Sequence, residues 1–291
     1  ERLWDIMWRS TLHYGRKGLV VHAISAVDLA LWDIIGKSLG MPIYQLLGGE
    51  TKSRIPAYCT GNDIEQHVEF GFKKLKLAIP YGPADGRKGM KKNIELVKRT
   101  RELLGSEGEI MLDCWMAFDV EYAVRLAEAL RPYKLKWMEE TLRSEDFDAH
   151  AQLRQRVPWQ TLSTGEHWYT SVPFQHAASR HLVDIFQPDI HWVGGLTAIT
   201  KICAIAEAAG ISVIPHCGGS TPYGQHACYA MPAIPWSECF VATPPGESPK
   251  KAEQLPGIAT PKDGKMIPSD GPGFGVTITE EQLSPYNYQA E

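Results

Sequence analysis

The chain has 291 residues, with 30 Lys and Arg against 34 Asp and Glu, so its formal net charge is −4. Its hydrophobic fraction of 44% and charged fraction of 22% are ordinary for a globular protein and exclude a disordered or fibrous chain. The mildly acidic balance offers no basic surface for nucleic acid, and no uninterrupted run of about 18 apolar residues is present, so we expect neither a nucleic-acid partner nor a membrane span.

The first 50 residues are predicted to be helical. Apolar residues recur about every 3.6 positions between Val21 and Leu39, which is the period of an amphipathic helix. Gly40 and Pro42 end this helix, because glycine suits the left-handed C-cap and proline cannot continue a helix. We expect this segment to form a layer separate from the regular part of the chain.

From residue 55 onward, short apolar strands alternate with amphipathic helices. The strands begin roughly 20 to 30 residues apart, an alternation typical of parallel strands joined by crossover helices. Eight such strands favour closure into a barrel, whereas the rival open sheet usually carries a GxGxxG motif that is absent here. We therefore predict an α/β fold with a parallel (β/α)7β barrel of the TIM type. The predicted strands are 55–59, 74–79, 109–114, 136–140, 161–164, 183–187, 212–215 and 237–241, and the predicted helices are 63–70, 92–104, 120–130, 146–156, 172–180, 196–209 and 222–231.

A polar residue marks the end of six of these strands. Active sites of parallel barrels lie at the C-terminal ends of the strands, and successive members of this set lie 22 to 27 residues apart, about one βα unit. Their side chains are therefore expected to encircle one mouth of the barrel. In chain order they are Asp113, Glu139, Glu166, Asp189, His216 and Glu238.

The first three are carboxylates on neighbouring strands, and they would repel one another without a cation. A ligand set of oxygen atoms, without Cys or His, favours a hard ion, most simply Mg²⁺. Any one of these residues alone could instead cap a helix, but three at one spacing are better explained as a metal site. We predict that Asp113, Glu139 and Glu166 bind Mg²⁺.

Asp189 and His216 follow on the next two strands. A carboxylate beside an imidazole fixes its tautomer and raises its pKa, which suits a general base. Most of the other nine histidines are expected to be packing residues, although His167, His191 and His226 lie near the predicted mouth. Only His216 shares the register of the strand ends, so we predict that it is the base.

The cysteines bear on the cellular compartment of the protein, and the first residue bears on its N-terminus. The six cysteines form no CxxC motif, and a chain of this length needs no disulfides, so we expect reduced thiols in a cytoplasmic protein. Glu1 is not an initiator residue, so we expect a fragment without its natural N-terminus, from which a targeting signal cannot be judged.

Taken together, these residues resemble the enolase superfamily, and within it the mandelate racemase branch. The segment from Ser25 to Asp33, followed by that from Pro42 to Gly49, is similar to the family's signature where its capping domain meets the barrel. The family has its metal ligands and its His/Asp pair at five motifs, which here read Leu112-Asp113, Trp137-Met138-Glu139-Glu140, Thr164-Gly165-Glu166, Gln187-Pro188-Asp189 and Pro215-His216.

The resemblance implies a division into three parts. Residues 1–50 would be the helical part of a capping domain whose first part is missing, 51–242 the catalytic barrel, and 243–291 a C-terminal extension that packs on the barrel or cap. It also implies bound Mg²⁺, a small sugar acid as the substrate and assembly into a homo-oligomer.

The second strand departs from the family's pattern. That pattern, Gly-Phe-x-x-x-Lys-x-Lys, supplies a second base from its last lysine, whereas this chain has Lys76 in the first lysine position and Ala78 in the second. Racemisation between two bases and cycloisomerisation with paired lysines are therefore disfavoured. The resemblance further implies that Lys76 adds positive charge near the substrate, and that a protonated Glu238 hydrogen-bonds its carboxylate.

A single base fits dehydration, because the imidazole that takes the proton can return it to the leaving hydroxyl group. Within the branch, the chain most resembles the sugar-acid dehydratases, which are carbon–oxygen lyases. The alternative is a dehydratase or epimerase that acts on another acid. A barrel without catalysis is a remote possibility, because every expected metal carboxylate and His216 are present.

Overall fold

The computed structural model of the protein describes residues 1–241 and 257–279. Strands and helices alternate from residue 55, in seven βα units and a final barrel strand. The strands are β1 (Ile55–Thr60), β2 (Lys74–Ala78), β3 (Glu109–Asp113), β4 (Trp137–Glu139), β5 (Leu162–Thr164), β6 (Ile185–Phe186), β7 (Ser212–Val213), β8 (Ser237–Phe240) and β9 (Lys265–Met266). The helices are α1 (Arg2–Thr11), α2 (Leu19–Leu39), α3 (Ile43–Leu46), α4 (Ile64–Glu69), α5 (Gly86–Leu104), α6 (Val120–Leu130), α7 (Phe147–Arg156), α8 (Val172–Ser179), α9 (Gly195–Ala209) and α10 (Pro222–Ala230), with 3₁₀ turns at Pro83–Asp85 and Arg131–Tyr133.

Strands β1 to β8 are parallel and follow the hydrogen-bonded order β7-β6-β5-β4-β3-β2-β1-β8. The loop after β7 joins the two ends of this sheet. Its Gly219 N–H donates to the Glu238 carbonyl at 2.7 Å, and its Ser220 Oγ accepts from the Phe240 N–H at 3.0 Å. The predicted (β/α)7β fold class is therefore confirmed, with loop contacts between its seventh and eighth strands.

The barrel interior has an apolar floor and a polar layer above it. Successive side chains of a strand point to opposite faces, so the residue two positions beyond each floor residue faces the interior again, closer to the mouth. The floor is a buried cluster of Tyr58, Met111, Trp137, Ile185 and Ile214, with Trp236 packed against it. The residues two positions beyond them are Thr60, Asp113, Glu139, Gln187, His216 and Glu238.

The helix after β2 begins earlier than predicted, at Gly86 instead of residue 92. The glycines of this segment suggested a turn. A Cβ atom at Gly89 would lie 2.3 Å from the Asp85 Cβ and 2.9 Å from the Tyr81 Cβ. The glycine is therefore required where the helix packs against the preceding loop, and it does not break the helix.

The cap helix α2 docks on the N-terminus of α9. The Asp28 carboxylate accepts hydrogen bonds from the Thr197 N–H at 3.0 Å and from its hydroxyl at 2.6 Å, and Ser25 Oγ accepts from the Gly194 N–H at 2.9 Å. A carboxylate at this position also interacts favourably with the helix dipole. These contacts fix the cap against the segment that follows β6.

Helix α2 is also the one helix, over the residues that the structure describes, that is long and apolar enough by length and composition alone to cross a membrane. Buried helices of globular proteins pass the same test. Asp28, Asp33 and Lys37 interrupt its apolar sequence, and Asp28 is buried against α9.

The described part of the C-terminal segment packs on the cap and on α10. The Gly273 carbonyl accepts from the Ile43 N–H at 2.8 Å, and the Phe274 N–H donates to Asp33 Oδ1 at 2.9 Å. Gln225 of α10 bonds to both backbone groups of residue 259. The rest of the predicted extension, 243–256 and 280–291, lies outside the described residues, and the division into three parts stays a prediction.

His226 lies away from the barrel mouth. It is fully buried in α10, where its Nδ1 accepts a hydrogen bond from the Tyr44 N–H at 3.2 Å and its ring packs against Phe274. Burial lowers the pKa of His226 to about 4. The histidine is therefore a neutral packing residue that joins α10 to the cap.

We expect His226 to make the protein less stable in acid. Because the pKa in the folded state lies below the ordinary value of about 6.5, its contribution is fully present above about pH 6.5 and is lost as the pH falls to about 4, up to about 3 kcal/mol. Urea unfolding of the wild type and His226→Asn should show a smaller loss on acidification for the variant, since Asn Oδ1 can accept the same bond but does not titrate. The exposed His13→Asn is the control. An equal loss in wild type and His226→Asn would contradict this assignment.

Candidate active site

A buried lysine lies at the centre of the polar layer. The Lys76 side chain is fully buried, and its Nζ lies 3.1 Å from Asp113 Oδ2, 2.7 Å from Glu238 Oε1 and in contact with Glu139 Oε1. Burial alone would lower the pKa of Lys76, but the three carboxylates outweigh it and raise the pKa well above its usual value. The lysine is therefore a permanent cation that gathers three carboxylates.

Glu139 is the most tightly held of these carboxylates. It is fully buried, and its Oε2 accepts from the Trp137 Nε1–H at 3.1 Å and from Gln187 Nε2 at 2.6 Å. Burial raises the pKa of Glu139, although Lys76 opposes this shift. A single ammonium group shared with two other carboxylates therefore does not fully stabilise its negative charge.

The pKa of Glu238 is shifted in the opposite direction to that of Glu139. Its Oε1 accepts from the Thr60 hydroxyl at 2.5 Å, and its Oε2 accepts from the Cys217 N–H at 2.9 Å. Burial alone would raise the pKa of Glu238, but Lys76 and His216 lower it below its usual value. The expectation of a protonated Glu238 therefore disagrees with the structure, because the lysine ammonium stabilises the carboxylate.

Glu166 lies on another side of the mouth, beside two imidazoles. Its Oε1 is 3.5 Å from His216 Nε2 and 4.0 Å from His167 Nε2. The His167 Nδ1 is within 3.0 Å of both oxygens of Glu140, which is fully buried. Burial raises the pKa of Glu166 to about 7.

The predicted base and its partner are in direct contact. His216 Nδ1 lies 2.7 Å from Asp189 Oδ2, so the second ring nitrogen, Nε2, is directed towards Glu166. Asp189 also accepts from the His191 backbone N–H at 2.6 Å. Burial opposes the charge on the imidazole, but the hydrogen bond with Asp189 outweighs it and raises the pKa of His216. The geometry is that of an oriented base whose protonated form is stabilised.

The structure brings the predicted site residues to one mouth, with one difference. Among the described residues, the ligand atoms of Asp113, Glu139 and Glu166 do not lie within 4.8 Å of one another. Asp113 and Glu139 converge on Lys76, whereas Glu166 is turned towards His216. Glu166 follows the end of β5, so strand alternation does not set the direction of its side chain.

These residues nevertheless fit a hard divalent cation. A carboxylate has about four lone-pair sites, and Asp113 uses one on Lys76 and one on the Trp115 N–H at 3.2 Å. The Asp113 side chain is 16% exposed, so solvent reaches it at the mouth. Burial raises the pKa values of Glu139 and Glu166 even though Lys76 and His216 oppose the shifts, and a bound cation would add positive charge that favours both carboxylates.

Several contacts were not foreseen from the sequence. Thr60 and Gln187 each lie two positions beyond a floor residue, so strand alternation could have identified them. The Cys217 thiol lies 3.4 Å from His216 Nε2, and the Glu140–His167 pair lies beside Glu166. Glu140 and Cys217 both have a positive φ, of 44° and 53°, so strand alternation does not predict their direction.

A parallel barrel with carboxylates and a His/Asp pair at its mouth defines an enzyme of the enolase type. Residues 61–282 match the family described as enolase C-terminal domain-like, and residues 1–48 match the N-terminal domain of the mandelate racemase and muconate lactonizing enzymes. The chain therefore belongs to the mandelate racemase/muconate lactonizing enzyme family of the enolase superfamily, as the resemblance predicts.

Proteins similar to this chain include L-rhamnonate dehydratases. An L-rhamnonate dehydratase from Saccharopolyspora erythraea is 41% identical over 284 residues, which cover 97% of this chain and 72% of that protein. The crystal structure of L-rhamnonate dehydratase from Gibberella zeae has a TM-score of 0.90 and 37% identity, and the match covers 96% of this chain and 72% of that one. A second structure of the Gibberella zeae enzyme, complexed with Mg, has a TM-score of 0.89 at 37% identity, covering 97% of this chain and 70% of that one.

We expect Lys76→Met to destabilise the protein by about 3–5 kcal/mol, because the variant leaves buried carboxylates without their cation. The measurement is urea unfolding in a buffer that contains a chelator. Lys74→Met is the matched control, since Lys74 lies on the same strand but its Nζ packs 4.2 Å from the Trp236 ring centroid, and we expect it to cost no more than about 1 kcal/mol. Equal stability of Lys76→Met and wild type would show that the lysine does not hold the carboxylates.

Proposed function

We propose that the protein is a Mg²⁺-dependent sugar-acid dehydratase that converts L-rhamnonate to 2-keto-3-deoxy-L-rhamnonate. The observation that carries this proposal is the contact between His216 and Asp189 at the mouth that also holds Asp113, Glu139 and Glu166. The substrate is taken from the L-rhamnonate dehydratase of Saccharopolyspora erythraea, to which the chain is 41% identical over nearly its whole length.

Dehydration needs a proton to leave carbon 2 and a hydroxyl group to leave carbon 3. Neutral His216 accepts the carbon-2 proton at Nε2, because Asp189 holds Nδ1 and thereby turns Nε2 towards the substrate. The electrons of the broken C2–H bond form the C2–C3 double bond as the C3–O bond breaks. Protonated His216 donates its proton to the leaving hydroxyl group, which departs as water, and the enol product tautomerises to the ketone.

The carboxylates Asp113, Glu139 and Glu166 would hold the Mg²⁺ ion. When bound, the ion supplies a fixed positive charge for the negative charge that develops on the substrate carboxylate. Lys76 contributes to the binding of the ion from the floor side of the polar layer, because it holds Asp113 and Glu139 in place. Its side chain is fully buried, so we propose a positioning role for Lys76 in place of direct contact with the substrate.

The face of the substrate opposite His216 has no second base on β2. Ala78 is exposed at the end of this strand and is in register with Asp113 on β3. Its methyl group cannot accept a proton, so two-base racemisation is disfavoured and elimination through His216 is favoured. The chain is 28% identical to a racemase from Streptomyces coelicolor A3(2) that has bound magnesium, so epimerisation is the alternative that an assay must separate.

Two further parts of the proposal concern the oligomeric state and the cellular compartment of the enzyme. Assembly into a homo-oligomer follows from the family resemblance, and a cytoplasmic location follows from the expectation of reduced thiols. All six cysteines are free in the structure, which supports the expectation of reduced thiols.

With L-rhamnonate and Mg²⁺, we expect the protein to release one 2-keto-3-deoxy acid per molecule of substrate consumed. A carbonyl reagent detects the product, and a chelator should abolish its formation until Mg²⁺ is restored. A panel of other sugar acids serves as the control for specificity. Turnover of another acid alone would contradict the proposed substrate, and epimerised substrate without keto acid would contradict the reaction class.

We expect His216→Asn to lower kcat by roughly 10²–10⁴-fold, the usual contribution of a general acid–base group. In D₂O the variant should also fail to exchange the carbon-2 hydrogen of the substrate. His191→Asn is a matched comparison, because the ring nitrogen Nδ1 of His191 also lies 3.1 Å from Asp189, and we expect it to cost less than about tenfold. Retention of more than a tenth of wild-type turnover by a folded His216→Asn would reject the assignment.

A further inference from the structure

An exposed tryptophan at the mouth of the barrel has no part in the steps of dehydration. Trp115 follows β3, two residues after Asp113, and it is 68% exposed. Among the described residues, the one other exposed tryptophan is Trp159, at 38%. Single apolar residues on a protein surface are ordinary, but ligand sites are lined mainly by apolar and aromatic side chains. A large indole beside a predicted metal ligand therefore indicates a contact with the substrate.

The turn after β3 holds Trp115 in this position. Trp115 and Met116 have φ values of 43° and 61°, in the left-handed region that bulky side chains rarely adopt. The Trp115 N–H donates to Asp113 Oδ1 at 3.2 Å, and the Ala117 N–H donates to the Cys114 carbonyl at 3.0 Å. Strained backbone of this kind persists only where the surrounding structure imposes it, and it clusters at ligand sites. The backbone therefore fixes the indole at the mouth.

The indole lies between two of the residues assigned to Mg²⁺. Its backbone is bonded to Asp113, and its ring meets the ring of His167 edge to face, with centroids 6.4 Å apart. On the other side of this histidine, His167 Nε2 is 4.0 Å from Glu166 Oε1. Trp115 is therefore close enough to the metal ligands to meet a substrate whose carboxylate they hold.

A bound sugar acid has one direction left for its distal carbons. The metal ligands hold its carboxylate, and its carbon 2 faces Nε2 of His216. On the floor side, Lys76 and Glu139 are fully buried and paired with each other, so the chain of the substrate extends towards the opening. Trp115 and Phe240 are both exposed there, but Phe240 packs beside the base, with its ring centroid 6.2 Å from that of His216. Trp115 is therefore the ring available to the distal end.

We propose that Trp115 is a specificity residue whose indole packs against the carbon-6 methyl group of L-rhamnonate. L-Mannonate is the matched competitor, because it differs only in a hydroxyl group on carbon 6. A methyl group gains free energy when it leaves water for an aromatic surface, whereas a hydroxyl group loses hydrogen bonds that the indole carbons do not replace. The inference rests on the proposed function, which places the carboxylate and carbon 2 of the substrate.

The activity experiment measures kcat/KM of wild type and Trp115→Ala for both acids at saturating Mg²⁺. We expect wild type to prefer L-rhamnonate at least about tenfold, and Trp115→Ala to lose most of this preference through a higher KM for L-rhamnonate, with little change for L-mannonate. Trp115→Phe keeps an aromatic ring and should retain part of the preference. Trp159→Ala is the control, because Trp159 precedes β5 at the opposite end of the barrel and packs against Arg131, and it should change neither value.

A binding experiment tests the contact without turnover. In His216→Asn loaded with Mg²⁺, NMR saturation of the aromatic protons of the protein should transfer most strongly to the methyl protons of L-rhamnonate. The double variant with Trp115→Ala should lose this transfer to the methyl protons, and the one with Trp159→Ala should retain it.

The outcomes separate this inference from the proposed function. An equal fall of kcat/KM for both acids in Trp115→Ala, or transfer to the methyl protons that does not depend on Trp115, would overturn the inference while dehydration of L-rhamnonate still stands. Transfer that depends on Trp115, in a protein whose wild type dehydrates neither acid, would support the contact and reject the proposed function.

Discussion

The charge balance of the barrel interior depends on the ammonium group of Lys76. Moving carboxylates out of water costs several kcal/mol each unless a cation and hydrogen bonds compensate. Lys76 contacts Asp113, Glu139 and Glu238, and it keeps the pKa of Glu238 below its usual value while that of Glu139 remains raised. One positive charge thus stabilises part of the negative charge of the three carboxylates. The negative charge that Lys76 does not balance explains why a divalent cation is expected at the same mouth.

Strand alternation provides the geometry for this balance. The backbone of Lys76 is in register with Met111, which belongs to the apolar floor, so the lysine starts at the level of the floor. Its long side chain carries the ammonium group up to Asp113 and Glu139, which are themselves in register on β3 and β4. A shorter cationic side chain would not span the two layers, and an apolar one would leave the carboxylates without a cation.

Much of the fold and part of the site could be predicted from the sequence, for reasons that the structure makes clear. Repeated strand–helix spacing predicted the barrel, and Asp113 and Glu139 lie within strands, so alternation set their direction. Glu166 lies beyond the end of β5, where loop conformation sets the direction of its side chain. The contact between Cys217 and His216 depends on such a loop, and residue spacing does not reveal it.

The cap and the base are linked through a single short segment. Asp189, which orients His216, begins the loop that ends at Gly194, and the carbonyl of Gly194 accepts from Trp4 Nε1 at 2.7 Å while its N–H donates to Ser25. Between them, Trp192 packs against the imidazole of His216 with ring centroids 5.4 Å apart. Because Ser25 belongs to the segment that matches the N-terminal domain family, a part of the sequence that identifies the family also fixes the loop that orients the base. The cap contacts therefore belong to the machinery that positions His216, although they lie outside the barrel.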